Sequence, residues 1–521
     1  MRNTKYILII ALSVLTLGCT DLEVEEIDSI VVTGGVNIDE NLVESYNQFG
    51  AIMSSQDNTY AMMEVSGDAQ LIPTRGTDWG DGGIWRQMHQ HTWTAEHPFI
   101  FNSWNGINRL TFFANQILVS EPSPQQEAEA RYIRALASFL ILDLWGFVPD
   151  RNPNDPVTTD PAILSREAAV ARIEEDLDLV HFEALPSTGS ASGESKLVAS
   201  KAAFRMLSAK FYLNKHILLN GAETNSEPAA ADLQRVIADV DAITAEGFSL
   251  QEDYFGIFGD PAESTESIFL IQGDAGTEPR IRNTLHYNHN FVIDGGGWNG
   301  FATTSDFYSL FEGPEDTNAP ESGQELRRGY VPTDGDSVTI FGRGMLVGQQ
   351  YGVEIEENGS LTNNVIPLTT RGGSPLVFTE QMPEELTGHG EATGIRLIKY
   401  APDAEKSVPG TQIFFRYADA LLMKSEAQHR AGNSGAALTL INELRDIREA
   451  SPLASLSDQD ILDERGRELY IEFWRRQDLI RFGKFLDPWL YKDQSDPTRL
   501  LYPVPTNALS TNPNLEQNPG Y

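Results

Sequence analysis

Two stretches of the chain set flat aromatic rings among short polar side chains. The first runs Arg75-Gly76-Thr77-Asp78-Trp79-Gly80-Asp81-Gly82-Gly83-Ile84-Trp85, two tryptophans in a glycine-rich acidic loop. The second is Tyr287-Asn288-His289-Asn290, leading into Gly295-Gly296-Gly297-Trp298-Asn299. A sugar ring offers a face of C–H groups to an aromatic ring and an edge of hydroxyls to Asp, Asn, Arg or Gln, and both segments supply that mixture. Arg75, Asp78, Trp79, Trp85, Tyr287 and Trp298 are therefore the candidate ligand-binding residues. Tryptophan is also a core residue. Four of the eight, at positions 79, 85, 93 and 104, fall within 26 residues. Trp104 stands beside a helical pattern and is expected in the core, whereas Trp79, Trp85 and Trp298 admit either role.

Signals for catalysis are poor. There is no Gly-x-Ser-x-Gly elbow, Walker loop or His-Glu-x-x-His pair. His89, His91 and His97 lack the Cys and His spacing of a structural zinc site, so no metal is expected. A glycosidase needs only two carboxylates, and among 75 acidic residues no pair stands out. No catalytic residue and no cofactor is expected. The 521 residues carry 38 Lys+Arg against 75 Asp+Glu, a formal charge of −37. No lysine occurs between Lys5 and Lys196. Nucleic acid is excluded as a partner, because phosphate binding relies on clustered cations. At 40% hydrophobic and 9% aromatic, the composition is that of a folded globular protein rather than an acidic disordered one. The single cysteine rules out an intramolecular disulfide.

That cysteine ends an export signal. Arg2 and Lys5 precede an apolar run from Tyr6 to Leu17, too short to span a bilayer. The run closes in Leu15-Thr16-Leu17-Gly18-Cys19, which resembles a bacterial lipobox with Thr16 and Leu17 in reversed order. Residues 1–18 are read as a lipoprotein signal peptide, Cys19 as the lipid attachment site, and 19–40 as anchor and acidic leader. No later segment approaches 18 consecutive apolar residues, so the body is expected in water, tethered by lipid.

The elements that must position the aromatic loops are mostly helical. Apolar residues at Ile133, Leu136, Ala137, Leu140 and Leu144 predict a helix over 128–145, stopped by Gly146 with Pro149 behind it. Ser165 is the predicted cap of a second helix with Val170, Ile173, Leu177 and Val180 on one face. Ser200 begins a third, with Phe204, Leu207 and Phe211 inward, and Leu233, Val236, Ile237, Val240 and Ile243 mark a fourth. Two runs, 415–431 and 434–447, flank Gly432-Asn433, the tight break of an antiparallel helix pair. Such pairs are reminiscent of tetratricopeptide repeats. From 251 to 410 the pattern changes to short β-like runs such as 267–272 and 394–400, separated by Gly, Pro, Asn and Asp.

The C-terminal third resembles the SusD/RagB family. The residues that carry the resemblance are Arg416-Tyr417-Ala418-Asp419-Ala420-Leu421-Leu422-Met423 with Glu426-Ala427; then Glu464-Arg465-Gly466-Arg467-Glu468-Leu469, Glu472, Arg475, Asp478-Leu479 and Arg481. The ending adds Pro503-Val504-Pro505, Asn512-Pro513-Asn514-Leu515 and Gln517-Asn518-Pro519-Gly520-Tyr521. Residues 104–115, 129–145 and 297–312 are similar too, and Phe473-Trp474 departs from the glycine and histidine often found there. The charged motifs are expected to be scaffold ion pairs, Glu472 with Arg475 or Arg476 and Arg465 with Glu468, three and four residues apart on one helix. The proline-rich tail is expected to be an extended strap.

The resemblance implies a mostly α, tetratricopeptide-like helix-pair scaffold with a long loop-rich insertion containing short strands. Its regions would be 41–250, N-terminal and helical; 251–410, the insertion; and 411–521, the C-terminal helices and tail. It further implies a ligand site built from N-terminal loops and the insertion, which favours Trp79, Trp85 and Trp298. The implied role is a lipid-anchored protein of the outer membrane, facing outward, that binds a nutrient oligomer and passes it to a SusC-like TonB-dependent transporter. An oligosaccharide is the expected ligand, neutral rather than polyanionic because the acidic body repels anions within about 10 Å. Peptide capture and a surface glycoside hydrolase are the alternatives.

Overall fold

The computed structural model describes residues 37–156, 158–189, 193–221, 226–273, 278–289, 296–316, 318–319, 322–332, 342–358, 361–402 and 406–521. The signal segment, Cys19, the anchor and leader region as far as residue 36, Asn290 and Gly295 lie outside the described residues.

Helices dominate, and their ends follow from local chemistry. After α1 (Ile38–Ser54), α2 (Pro98–Leu118) starts with proline in its first turn and the His97 ring accepting from the Phe99 backbone N–H. Helix α3 (Pro124–Trp145) opens on a Ser123/Gln126 capping box and closes at Gly146, whose φ of 82° provides the left-handed turn. Ser165 caps α4 (Arg166–Asp176) and Ser200 caps α5 (Lys201–Leu219), which packs on α6 (Ala230–Ala245). Phe204, Leu207 and Phe211 are buried as their spacing predicts, and so is Trp104. Val180 departs from expectation: α4 ends at Asp176, Asp178 caps a separate turn over Leu179–Phe182, and Val180 is exposed. Further along come α7 (Glu278–Thr284), α8 (Tyr417–Arg430), α9 (Ser434–Ile447), α10 (Asp458–Leu469) and α11 (Arg475–Arg481). Helices α8 and α9 flank Gly432 and pack as a pair.

The strands are short and, among the described residues, every ladder is antiparallel. Strand β1 (Ser267–Gln272) pairs with β6 (Thr411–Arg416). Residues 415 and 416, expected at the start of α8, belong to this ladder instead, because Phe415 pairs with Phe269 and Arg416 with Ser267. Strand β2 (Arg343–Leu346) lies between β5 (Arg396–Ile398) and Gly329–Tyr330. A hairpin joins β3 (Tyr351–Ile355) to β4 (Leu361–Pro367). A small apolar cluster under these strands joins Ile281 and Leu285 to Leu346, Leu376, Phe378 and Ile398. It fastens α7, and the segment that follows it, to the strands of the insertion.

The charged motifs of the C-terminal third are buried; Arg467 with Glu464 and Arg481 with Asp478 keep helical i,i+3 pairs at 2.6 and 2.8 Å, but the other charged groups find partners farther off in sequence. Arg416 bonds Glu266 at 3.0 Å, Glu468 at 2.7 Å and Glu472 at 2.6 Å. Glu468 also receives Arg448 and Arg327, at 3.0 and 3.2 Å. Lys399 bonds Glu472 at 2.5 Å. Arg465 bonds Asp419 at 2.9 Å and Asp478 at 2.8 Å. The i+3 and i+4 pairs expected from spacing are therefore corrected. The helix stops at Leu469, and Ile471 and Phe473 take positive φ of 57° and 78°. Arg475 consequently points to Asp68 and Arg476 to Asp143. Phe473 and Trp474 are core residues.

From Ile38 to Tyr521 the chain is one compact unit. Its ending is a strap: Tyr502 N–H donates to the Leu144 carbonyl at 2.8 Å, Trp145 Nε1 to the Pro503 carbonyl at 3.0 Å, and Trp93 Nε1 to Tyr521 Oη at 2.7 Å. A short helix over Thr506–Thr511 interrupts it. Among the described residues no helix is long and apolar enough to cross a membrane.

Candidate functional site

The two aromatic segments meet. Around Gly76-Thr77 the chain turns back tightly, with Arg75 N–H donating to Asp78 O at 3.0 Å and Asp78 N–H to Arg75 O at 2.9 Å. The turn delivers Trp79 at a φ of 60°, a left-handed conformation that costs a non-glycine residue about 1 kcal/mol or more. Strain of this kind persists only where the surroundings hold it, and here they do. Trp79 Nε1 donates to the Trp298 backbone carbonyl at 2.6 Å. The Trp79 indole meets Trp85 and Phe301 edge-on, both at 5.8 Å between centroids. Gly300 makes that seat possible: a Cβ there would lie 2.3 Å from Trp79 Cε2.

The second segment is laid against the first by equally close backbone contacts. A Cβ on Gly297 would stand 1.9 Å from the Leu285 carbonyl oxygen. Trp298 N–H donates to the Arg282 carbonyl at 2.5 Å, and Asn299 N–H to the Leu285 carbonyl at 2.8 Å. With Gly297 and Asn299 on either side buried, the Trp298 ring is turned outward and stands 53% exposed, with the Arg282 guanidinium 5.9 Å from its centroid.

Asp78 and Tyr287 form the link, 209 positions apart, with Tyr287 Oη donating to Asp78 Oδ2 at 2.5 Å. Burial and the Asp78 carboxylate push the Tyr287 phenol up. A third segment, invisible as a site in the sequence, completes the surface. Arg371 lies over the Tyr287 ring, its guanidinium carbon 3.8 Å from the centroid. It donates from Nη2 to Asp78 at 3.2 Å and from Nε to Glu391 Oε1 at 2.6 Å. Glu391 Oε2 accepts from the Arg371 backbone N–H at 2.8 Å and lies 3.0 Å from His286 Nε2. Burial raises the Glu391 carboxyl, but the hydrogen bonds from Arg371 and His286 outweigh it and leave it below the ordinary value. Burial holds the His286 imidazole down at about 4.

The six residues expected at the site thus divide by depth. Asp78, Trp79, Tyr287 and Trp298 reach the surface. Arg75 and Trp85 lie behind it, buried. Arg75 Nη1 donates to the Gly390 carbonyl at 2.6 Å and to Thr393 Oγ1 at 2.9 Å, and burial lowers its guanidinium to about 9. Trp85 donates to Asp81 Oδ2 at 3.0 Å and packs on Phe99 and Phe301. Arg371-Gly372-Gly373 repeats the arginine-glycine turn of Arg75-Gly76, the one sequence signal that could have drawn attention to it.

The three histidines considered for metal each serve the backbone. His89 lies 2.8 Å from the Leu490 carbonyl and 3.2 Å from that of Gln70, His91 lies 2.8 Å from the Ser66 carbonyl, and His97 lies 3.1 Å from that of Ile84 besides capping α2. Among the described residues no group of three His, Cys, Asp or Glu could hold a metal ion.

Comparison with known proteins finds relatives of this helical, ion-paired body in both sequence and fold. Residues 384–521 match the model of the SusD family. The starch-binding protein SusD of Bacteroides thetaiotaomicron is 24% identical across the whole of both chains. SusD-like protein P38 of Formosa agariphila is 27% identical over 82% of this chain and 81% of its own. In structure, a SusD-like protein from Bacteroides fragilis superposes with a TM-score of 0.67 at 17% identity, over 93% of this chain and 96% of that one. A laminarin-binding SusD-like protein gives 0.62 at 19% identity, over 93% and 99%. The protein is SusD-like in sequence and in its mostly α fold.

Proposed function

We propose that the protein is a surface glycan-binding lipoprotein, anchored through Cys19 to the outer membrane and facing outward, that passes an oligosaccharide to a SusC-like TonB-dependent transporter. It binds and does not catalyse. The observation that carries the reading is the exposed Trp298 ring, on a main chain that Trp79 ties to the loop where Asp78 accepts from Tyr287 and Arg371. An apolar ring face next to fixed polar groups is the chemistry of a pyranose platform. The names of its relatives point the same way, since one is a starch-binding protein and another binds laminarin, both neutral glucans. A neutral ligand also suits a chain of formal charge −37.

The test is direct. Purified protein lacking residues 1–19 is titrated with starch, laminarin, uronate-bearing and sulfated polysaccharides, and a peptide library. Binding to a neutral glycan that Trp298→Ala abolishes supports the reading. Binding to peptides alone, or release of new reducing ends from a polysaccharide, overturns it. Membrane extracts in which the full-length protein recovers no large β-barrel partner would remove the transport step.

A further inference from the structure

The two segments that carry Trp79 and Trp298 run on past the aromatic loops as an antiparallel pair. Leu71 and Ala302 exchange backbone hydrogen bonds, both at 2.9 Å. Thr303 Oγ1 donates to the Ala69 carbonyl at 2.7 Å and Thr304 Oγ1 to that of Asp68 at 2.9 Å. At this far end Asp68 and Thr304 border a cleft of about 250 Å³. Trp298 and Thr304 are six positions apart, so their Cα atoms lie within about 22 Å of each other. The cleft has an apolar lining of Phe307, Leu462 and Leu479, all buried, and of the partly exposed Trp489. Trp489 is set in place much as Trp79 is. It exchanges backbone hydrogen bonds with Lys492 at 3.1 and 2.9 Å, around a turn in which Tyr491 takes a φ of 67°. Lys492 Nζ lies 3.8 Å from the indole centroid and is itself held by the Leu486 and Asp487 carbonyls, at 3.3 and 2.8 Å.

The charged lining has four carboxylates to two cations, and much of it is already matched. Asp68 receives Arg475 through Nε at 2.6 Å and Nη2 at 2.7 Å. Asp463 Oδ1 accepts from Gln459 Nε2 at 2.7 Å, and Asp487 lies 3.4 Å from Lys484 Nζ. Asp306, the fourth, is exposed. An anion entering here meets the carboxylates, and a cation must compete with Arg475 and Lys484 for them. A neutral hydroxylated ring meets neither penalty. Ionised carboxylates keep lone pairs for hydroxyl protons beyond the bonds they already make, and Lys484 and Gln459 are donors. Burial raises the Asp463 carboxyl, the mark of an acceptor short of solvent. The apolar lining with its indole suits the C–H face of the ring. A volume below the range of about 300–1,000 Å³ usual for larger ligands admits one ring rather than an oligomer.

Resting on the glycan reading above, we propose that this cleft, with Trp489 as its aromatic wall, is a second saccharide subsite that takes one neutral sugar ring apart from the Trp298 platform.

The experiment titrates the protein lacking residues 1–19 with laminarihexaose and maltohexaose in a calorimeter, with cadaverine and oligogalacturonate as charged controls. Two binding events are expected: one that Trp298→Ala abolishes, and a weaker one that survives Trp298→Ala and loses at least tenfold in affinity in Trp489→Ala. Should Trp489→Ala melt early, Asp306→Ala combined with Gln459→Ala removes an acceptor and a donor at exposed positions and should weaken the same event at least tenfold. A single event that Trp298→Ala removes completely overturns the second subsite and leaves the glycan reading standing. So does a second event that no cleft variant alters, or one that cadaverine or oligogalacturonate produces and neither hexasaccharide does. Wild-type protein that binds no saccharide overturns this proposal and the glycan reading together.

Discussion

Trp79 Nε1 donates to the backbone carbonyl of Trp298 at 2.6 Å, so the two tryptophans are coupled without touching ring to ring. One indole lies flat over Gly300 and fixes the main chain from which the other projects. The consequence is that Gly300→Val should act on binding through geometry. Its Cβ would fall within 2.3 Å of Trp79 Cε2, and the indole must leave its seat. Ligand affinity should drop about tenfold or more and the tryptophan fluorescence should shift to the red, as measured by titration and emission spectra. Unchanged emission and affinity would show that the Trp79 seat does not matter.

Trp298 and Trp85 separate platform from core. Trp298 is 53% exposed and Trp85 6%. Trp298→Ala should change stability by no more than about 0.5 kcal/mol and remove about 1–3 kcal/mol of ligand binding, the range of a contact that matters at an interface. Trp85→Ala empties a pocket lined by Phe99 and Phe301 and should cost about 3–5 kcal/mol of stability. Denaturant midpoints and titrations of both variants read the two effects. Equal destabilisation by both would place Trp298 in the core.

Much of this architecture was legible from spacing. The helices at 128–145 and 434–447 follow their apolar runs, the first ending at Gly146 and the second beginning after Gly432-Asn433, because both signals are local. Both aromatic loops were visible as composition. Which tryptophan faces water was not, since the depth of Trp85 depends on Phe301, 216 positions away in sequence, as well as on Phe99. Arg371 and Glu391 escaped notice for a related reason: glycine- and proline-rich loops carry no period, and their meaning comes from Tyr287 and Asp78. The ion pairs failed differently. Helical spacing predicts Glu472 with Arg475, but the positive φ of Ile471 and Phe473 ends the helix and sends Glu472 to Arg416.

That long-range pairing makes Arg416 a sensitive position. Three carboxylates, Glu266, Glu468 and Glu472, converge on its buried guanidinium. Arg416→Met leaves them facing each other without their shared cation and should cost about 3–5 kcal/mol, read as a fall in the denaturant midpoint. Glu44, by contrast, forms an exposed pair with Arg109 at 3.3 Å, and Glu44→Ala should move the midpoint by less than about 1 kcal/mol. An Arg416→Met protein as stable as wild type would mean that the network contributes specificity of fold rather than stability.

Acid should destabilise the protein in two stages. Burial holds the imidazoles of His216, His286 and His389 at about 4 and that of His289 at about 3. In the unfolded chain a histidine titrates near 6.5. Between about pH 6.5 and 4 the unfolded state therefore binds protons that the folded state refuses, and stability falls as pH falls. The slope is about 1.4 kcal/mol per pH unit for each fully buried imidazole. Below about 4.5 a second loss begins. Burial raises the Glu464 carboxyl, but Arg327, Arg467 and Arg445 outweigh it and hold the group at about 2. Its stabilisation is present at neutral pH and disappears as the carboxylate is protonated. Thermal melts at constant ionic strength should show a midpoint that declines steadily from pH 6.5 to 4.5 and then more steeply. His289→Phe, which preserves the stack on Phe378, should flatten the upper stage and leave the lower one in place. A midpoint constant from pH 7 to 5 would show that these imidazoles are hydrated in solution and accept protons without unfolding the chain.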